Sequence, residues 1–208
     1  MRDDRAVIHI EVDGQVLPAP LAGHPVLEFT NTWAGWNSPP GAGGDYLTSY
    51  DVLLTLVTHH GLLTEDQAAA LRAVEADPGE LDSVLREARR LRGVLYLLLT
   101  GRGAAREHHS FATWAEEARS AQRWTVREDG GYAWRLEPRH PLRLPLLAVT
   151  DAATRLLTEG PLDAVHACPG NDCGWLFLDP RNRRRWCSMA VCGNRAKARA
   201  HARRGDRA

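Results

Sequence analysis

All four cysteines of this chain fall close to its C-terminal end. They form Cys168-Pro-Gly-Asn-Asp-Cys173 and Cys187-Ser-Met-Ala-Val-Cys192, two C-x4-C pairs separated by thirteen residues. That spacing constrains the chain more than any other feature. Each short loop lets two thiolates reach one ion at about 2.3 Å, and the intervening segment can fold back to bring the second pair over the first. A set of four cysteines closes the coordination shell, whereas a hydrolytic zinc keeps one position open for water. The expectation is one structural Zn2+ held by Cys168, Cys173, Cys187 and Cys192. His166, two residues before the first cysteine, is the competing ligand. The rival reading is two disulfides. These belong to oxidising compartments, and the segment Met1-Arg-Asp-Asp-Arg-Ala-Val-Ile-His-Ile lacks an apolar run long enough for a secretory signal. A cytoplasmic location is the matching expectation.

Between the pairs, Trp175 and Phe177 alternate with Leu176 and Leu178, and Asp179-Pro-Arg-Asn182 supplies turn chemistry. The pattern predicts a β-hairpin that returns through Arg184 to Trp186. The alanine- and arginine-rich run after Cys192 predicts a helix, with Arg195, Arg199 and Arg203 at i, i+4 and i+8 on one face. Knuckle, hairpin and ligand-bearing helix make a treble-clef-like module.

These residues resemble a known family. Cys173-Gly-Trp-Leu-Phe-Leu-Asp179, Arg181-Asn-Arg-Arg-Arg-Trp-Cys-Ser-Met189 and the tetrapeptide Cys192-Gly-Asn-Arg195 are similar to the CGNR zinc finger. In that family the finger follows a helical domain called ABATE, described as a stress-induced transcription regulator. Leu27-Glu-Phe-Thr-Asn-Thr32 resembles that domain's LDFVNT segment, and Leu91-Arg-Gly-Val-Leu-Tyr96 its LREALY segment. Glu28 stands where the family usually has aspartate, which keeps the carboxylate. Pro180 stands where it often has serine, which stiffens the turn without touching the cysteines. The resemblance implies an ABATE-like helical domain over residues 1–161, a CGNR-type finger over 162–208, and DNA as the partner.

The hydropathy pattern predicts a mainly helical chain with small β-hairpins. Val7 to Val12 alternates before Asp13-Gly14 and Gln15-Val-Leu17, which reads as a short ribbon. Pro25 opens a helix through Leu27, Phe29 and Trp33. Further helices run from about Tyr50 to Gly61, from Thr64 to before Pro78, through Leu81 to Leu98, from about Ser110 to Gln122, and from Pro145 to Gly160. Trp124 to Leu136 forms a hairpin turning at Asp129-Gly-Gly131. No stretch of about twenty apolar residues occurs, so no membrane partner is expected.

The 208-residue chain has a net charge of zero, but its halves differ. Residues 1–163 carry 16 arginines against 23 acidic residues, a net of −7, and residues 164–208 carry 10 basic against 3 acidic residues, a net of +7. In the DNA-binding reading Arg181, Arg183, Arg184, Arg185, Arg195, Lys197, Arg199, Arg203 and Arg204 meet phosphates, with a small-molecule effector and a homodimer as further partners of the helical domain. In the alternative reading the helical domain binds or transforms a small molecule, the finger is a brace, and Arg184, Arg185 and Arg195 pin it to acidic residues. Glu28, Asn31 and Trp33 are ligand-pocket candidates, because buried polar groups need partners. The competing role for Asn31 is as a cap for the glycine-rich loop after Trp36. Catalytic signals are lacking: there is no phosphate-binding glycine loop and no nucleophile elbow, and the pairs His59-His60 and His108-His109 diverge by about 100° on a helix. No enzyme activity is expected.

Overall fold

A computed structural model describes residues 9–39 and 42–205. The expectations for Val7 and Ile8 lie outside the described residues. The chain begins with the ribbon β1 (His9–Val12) and β2 (Gln15–Pro18), paired antiparallel with Val12 opposite Gln15. Asp13 and Gly14 both take positive φ there, as a two-residue hairpin turn demands. Helix α1 (Pro25–Thr30) starts with Pro25 in its first turn and with Val26 N–H donating to His24 Nδ1 at 3.2 Å. It is one turn shorter than expected. Asn31 caps it, and Trp33 has left the helix for the short strand β3 (Trp33–Ala34), which pairs with β4 (Gly44–Asp45). The cause is close backbone approach. A Cβ on Gly43 would lie 2.4 Å from the Trp33 ring and 2.5 Å from Ala34 O, so glycine lets the two strands meet.

Residues Leu47–Leu162 form a compact helical unit. Helix α2 (Tyr50–His59) is capped by Ser49, and α3 (Glu65–Arg72) opens with the reciprocal box of Thr64 and Gln67. Asp77 and Pro78 start α4 (Pro78–Leu99), which buries Val84, Leu85, Ala88, Leu91 and Leu95 along one stripe. Helix α5 (Ala105–Ser120) begins five residues before the expected Ser110, because Glu107 reaches back to Ala104 N–H at 3.1 Å. Strands β5 (Gln122–Val126) and β6 (Tyr132–Leu136) form the expected hairpin. A single 3-10 turn over Pro141–Arg143 leads into α6 (Leu144–Glu159), whose buried residues run from Leu144 to Leu156. This helix is the centre of the unit, touching α2, α4 and α5.

One polar cluster ties these helices together. Arg143 bridges Glu87 of α4 at 2.6 Å and Glu117 of α5 at 2.6 Å, and Trp114 Nε1 donates to Glu87 at 2.6 Å. Burial pushes the Glu87 carboxyl up. The hydrogen bonds from Arg143 and Trp114 outweigh it, so the group ends below its ordinary value.

The last elements are β7 (Val165–Ala167), β8 (Leu176–Leu178), a π-type turn over Met189–Gly193 and α7 (Asn194–Gly205). Together with the residues before Leu47 they make the second compact unit. The boundary expected at 161/162 therefore follows chain order, while in space the residues up to Tyr46 group with the finger.

The hairpin expected between the cysteine pairs is corrected. Strand β8 pairs with β7, which precedes the first cysteine, with Phe177 opposite His166, and no strand returns through Arg184 to Trp186. The chain turns too sharply after β8 for a ladder to continue. Asn182 adopts a left-handed φ of 48°, and the Asp179 carboxylate accepts the Arg184 N–H. The N–H groups of Arg184, Arg183 and Arg181 hold the Asp179 carboxyl below its ordinary value.

Candidate metal centre and basic groove

The four cysteine sulfurs lie within 4.8 Å of one another, on the knuckle between β7 and β8, just before the π-type turn (Cys187) and within it (Cys192). Local geometry explains each arm. In the first loop Cys168 N–H donates to Trp175 O at 2.8 Å and Cys173 N–H to Gly170 O at 3.1 Å. Gly170 packs closely on the cluster, where an added Cβ would sit 3.2 Å from Cys173 Cβ. A Cβ there would sit 3.3 Å from Cys192 Sγ and 3.5 Å from Cys168 Sγ. In the second arm Gly193 N–H reaches Ser188 O at 3.1 Å, the i to i−5 bond of a π-turn, which swings Cys192 inward as the helix begins.

No cysteine is in a disulfide. Cys173 Sγ and Cys192 Sγ each stand 3.6 Å from Cys187 Sγ. A disulfide needs about 2.05 Å, whereas a tetrahedron with metal–sulfur bonds of about 2.3 Å has edges near 3.8 Å. The donor set fits a soft tetrahedral ion. His166 stays out of it, its ring tilted against Phe177 at 5.7 Å between centroids.

The centre is walled by residues from the other end of the chain. Cys168, Cys187 and Cys192 form a buried cluster with Trp175 and Phe177, covered by Leu21, Ala34, Trp36 and Tyr46. Asn31 does what a neighbouring strand would do, with Nδ2 donating to Leu176 O at 2.9 Å and Oδ1 accepting Leu176 N–H at 2.8 Å. Trp33 O accepts from Trp175 Nε1 at 2.9 Å, and Asn37 Nδ2 donates to Cys168 O and Gly170 O. Glu28 Oε1 accepts the N–H groups of Ala22 at 2.7 Å and Gly23 at 3.2 Å. Asn31 and Trp33 thus serve the seam between the N-terminal segment and the finger, while Glu28 holds the turn at Ala22 and Gly23 before α1. The capping partner expected for Asn31 is replaced by the backbone of Leu176. Burial pushes the Glu28 carboxyl up, and its Oε2 is buried without a partner.

The nine basic candidates separate. Arg184 is spent internally: its guanidinium lies 4.6 Å over the Phe177 ring and donates to Leu21 O and Cys187 O. Arg181 and Arg183 are exposed on the turn after β8. Arg185, Lys197, Arg199 and Arg203 line one groove of about 450 Å³ with Trp186 and Gly170, and among the described residues no carboxylate lines it. Arg185 stands over the Trp186 ring at 5.2 Å. Arg195 is half-buried and does not line the groove, so the helix positions used are 196, 197, 199, 200 and 203 rather than 195, 199 and 203. The side chain of Arg204 lies outside the described residues. Trp186 was missed as a groove residue. Its place between arginines and the cysteine pair was the available signal.

A buried four-cysteine cluster beside a helix-bearing knuckle defines a zinc-finger type of module. The CGNR zinc-finger family matches residues 165–205, and the ABATE family, described as "Putative stress-induced transcription regulator", matches residues 23–160. The chain belongs to the ABATE family and ends in a CGNR zinc finger. No curated protein matches it. Among the described residues no helix is long and apolar enough to cross a membrane.

Proposed function

We propose that this protein is a zinc-dependent, DNA-binding transcription regulator. Cys168, Cys173, Cys187 and Cys192 would hold one structural Zn2+, which supplies cross-linking rather than chemistry, because no ligand position is left for water. The observation that carries the DNA reading is the groove beside α7. Three guanidinium groups and one ammonium converge there around Trp186, with no neutralising carboxylate among the described residues. Guanidinium forks match phosphate oxygens two at a time, and a lysine adds a point charge. Arg184, committed to the fold, is left out of the contact set, and Arg181 and Arg183 are flanking contacts.

The test is a triple substitution, Lys197→Ala, Arg199→Ala and Arg203→Ala, with binding to mixed-sequence duplex DNA followed over a salt series. The slope of log affinity against log salt should fall by up to about three, with zinc content unchanged, since each lost phosphate contact removes about 0.9 from the slope. Undiminished DNA binding by this variant would remove the groove from the reading.

The helical unit is proposed to take a small-molecule effector. A cleft of about 590 Å³ between the start of α3 and the β5–β6 hairpin supports this, lined by Leu63, Gln67, Thr125, Ala133, Arg155 and neighbours. Its size falls in the range of ligand sites, and its lining mixes apolar and hydrogen-bonding groups. A thermal-shift screen of small carboxylates and amphiphiles tests it. The expected hit loses its effect in Gln67→Ala.

A further inference from the structure

The β5–β6 hairpin carries the largest concentration of exposed apolar side chains in the described chain. Trp124, Val126, Tyr132 and Trp134 are 58%, 67%, 63% and 59% exposed. Their register makes this a single face. Arg127 N–H donates to Gly131 O and Glu137 N–H to Ala121 O, so the hydrogen-bonded pairs are the odd-numbered ones of β5. Trp124 opposite Trp134 and Val126 opposite Tyr132 are then two of the three non-hydrogen-bonded pairs, whose side chains stand closest and on the same side. The rings are already ordered. Trp124 stacks on Tyr132 at 5.3 Å with planes 14° apart, and meets Trp134 edge-on at 5.2 Å. Such cross-strand pairs hold the hairpin, yet leave more than half of each ring in water.

We infer that this aromatic face is the self-association surface of the protein, occupied by the same face of a second copy. Three observations select that occupant. The first is area. Four side chains of this size at these exposures present roughly 500 Å² of apolar surface, at the top of what a monomer ordinarily leaves uncovered. Two such faces bury about 1,000 Å² together, the lower bound for a specific interface. The second is self-complementarity. A two-fold axis between facing copies runs the hairpins antiparallel and sets the Val126–Tyr132 pair of each face on the Trp124–Trp134 pair of the other. An isologous contact needs that self-complementarity. The third is preorganisation: rings locked against each other lose little freedom on docking, and tryptophan and tyrosine are the usual anchors of interface centres. The inference uses the helical unit alone and stands or falls independently of DNA binding.

Sedimentation of the zinc-loaded, full-length protein tests it. The wild type should run at twice its 23.0 kDa monomer mass. Trp124→Ser with Trp134→Ser should raise the dimer dissociation constant at least about 100-fold, with zinc content and helical circular dichroism retained. Should that pair disturb the hairpin, Val126→Lys places a charge at the most exposed position of the face and should produce monomers with an intact fold. A wild type that stays monomeric at about 100 μM would overturn the inference, as would a dimer indifferent to Val126→Lys. Single-stranded DNA is the other occupant that stacked rings beside arginines could serve. Quenching of tryptophan emission by an oligonucleotide in a protein that does not self-associate would assign the face to bases instead.

Discussion

The two compact units of this chain are held by different physics. The unit from Leu47 to Leu162 is a helix assembly whose members lie close in sequence, joined by apolar stripes on α2, α4, α5 and α6 and by the Arg143, Glu87 and Glu117 cluster. The other unit has little regular structure. Its strands are two to four residues long, and its longest helix is the basic α7. It depends on four sulfurs and on side-chain-to-backbone bonds that close very long loops, such as Asn31 to Leu176 across 145 residues. A unit with little regular structure can still be ordered if a metal and a few well-placed amides add to its small apolar cluster. The comparison teaches where each unit is vulnerable: one to loss of ligands, the other to loss of packing and charge balance.

The largest expected effect therefore falls on the metal. Cys187→Ser, or strong chelation, should unfold both ends of the chain together, because metal ligation worth about 10–16 kcal/mol in small modules is folding energy here. Hydrogen exchange should accelerate in residues 9–39 as well as 163–205, while α4 and α6 keep their protection. Persisting protection at Asn31 and Trp33 in the metal-free protein would break the comparison. Next comes Arg143→Ala, which leaves two partly buried carboxylates without their cation and should cost the helical unit about 3 kcal/mol. Arg143→Lys should recover only part of that, since an ammonium cannot bridge both carboxylates with a planar fork. The exchange rates of the finger should not change.

Asn31→Ala should cost the other unit about 2 kcal/mol, by leaving the buried Leu176 N–H and C=O each without a partner. Its signature is faster exchange at Leu176, with the helical unit's melting temperature unchanged. The smallest effect concerns pH. The Glu87 carboxyl is depressed in the folded state, so its stabilisation is present above its unfolded value near 4.5 and is lost as pH falls through the lower, folded one. Acid titration of the helical unit should show that loss, and Glu87→Gln should flatten the curve below about pH 4.5.

Much of this was legible from residues alone. The cysteine spacing marked the metal centre, because ligand loops of four residues are local geometry. The 3.6-residue periodicity of α4 and the Asp-Gly and Asp-Gly-Gly turns marked their elements for the same reason: each signal is complete within one short window. The length of α1 and the start of α5 were less legible, since Gly43 against Trp33 and Glu107 against Ala104 decide them. Glu28, Asn31 and Trp33 were visible as polar or aromatic groups bound for burial, but their partners were not.

By itself, then, the sequence determined a helical chain ending in a four-cysteine finger with a basic tail. Only the tertiary structure decided that β8 pairs backward with β7, that Asn31 completes the edge of β8, that Arg184 belongs to the fold, and that Arg185 joins Lys197, Arg199 and Arg203. These outcomes are competitions between distant segments for the same backbone groups. The winner depends on which arrangement leaves no buried donor or acceptor unpaired, a condition on the whole unit that no single stretch of residues carries.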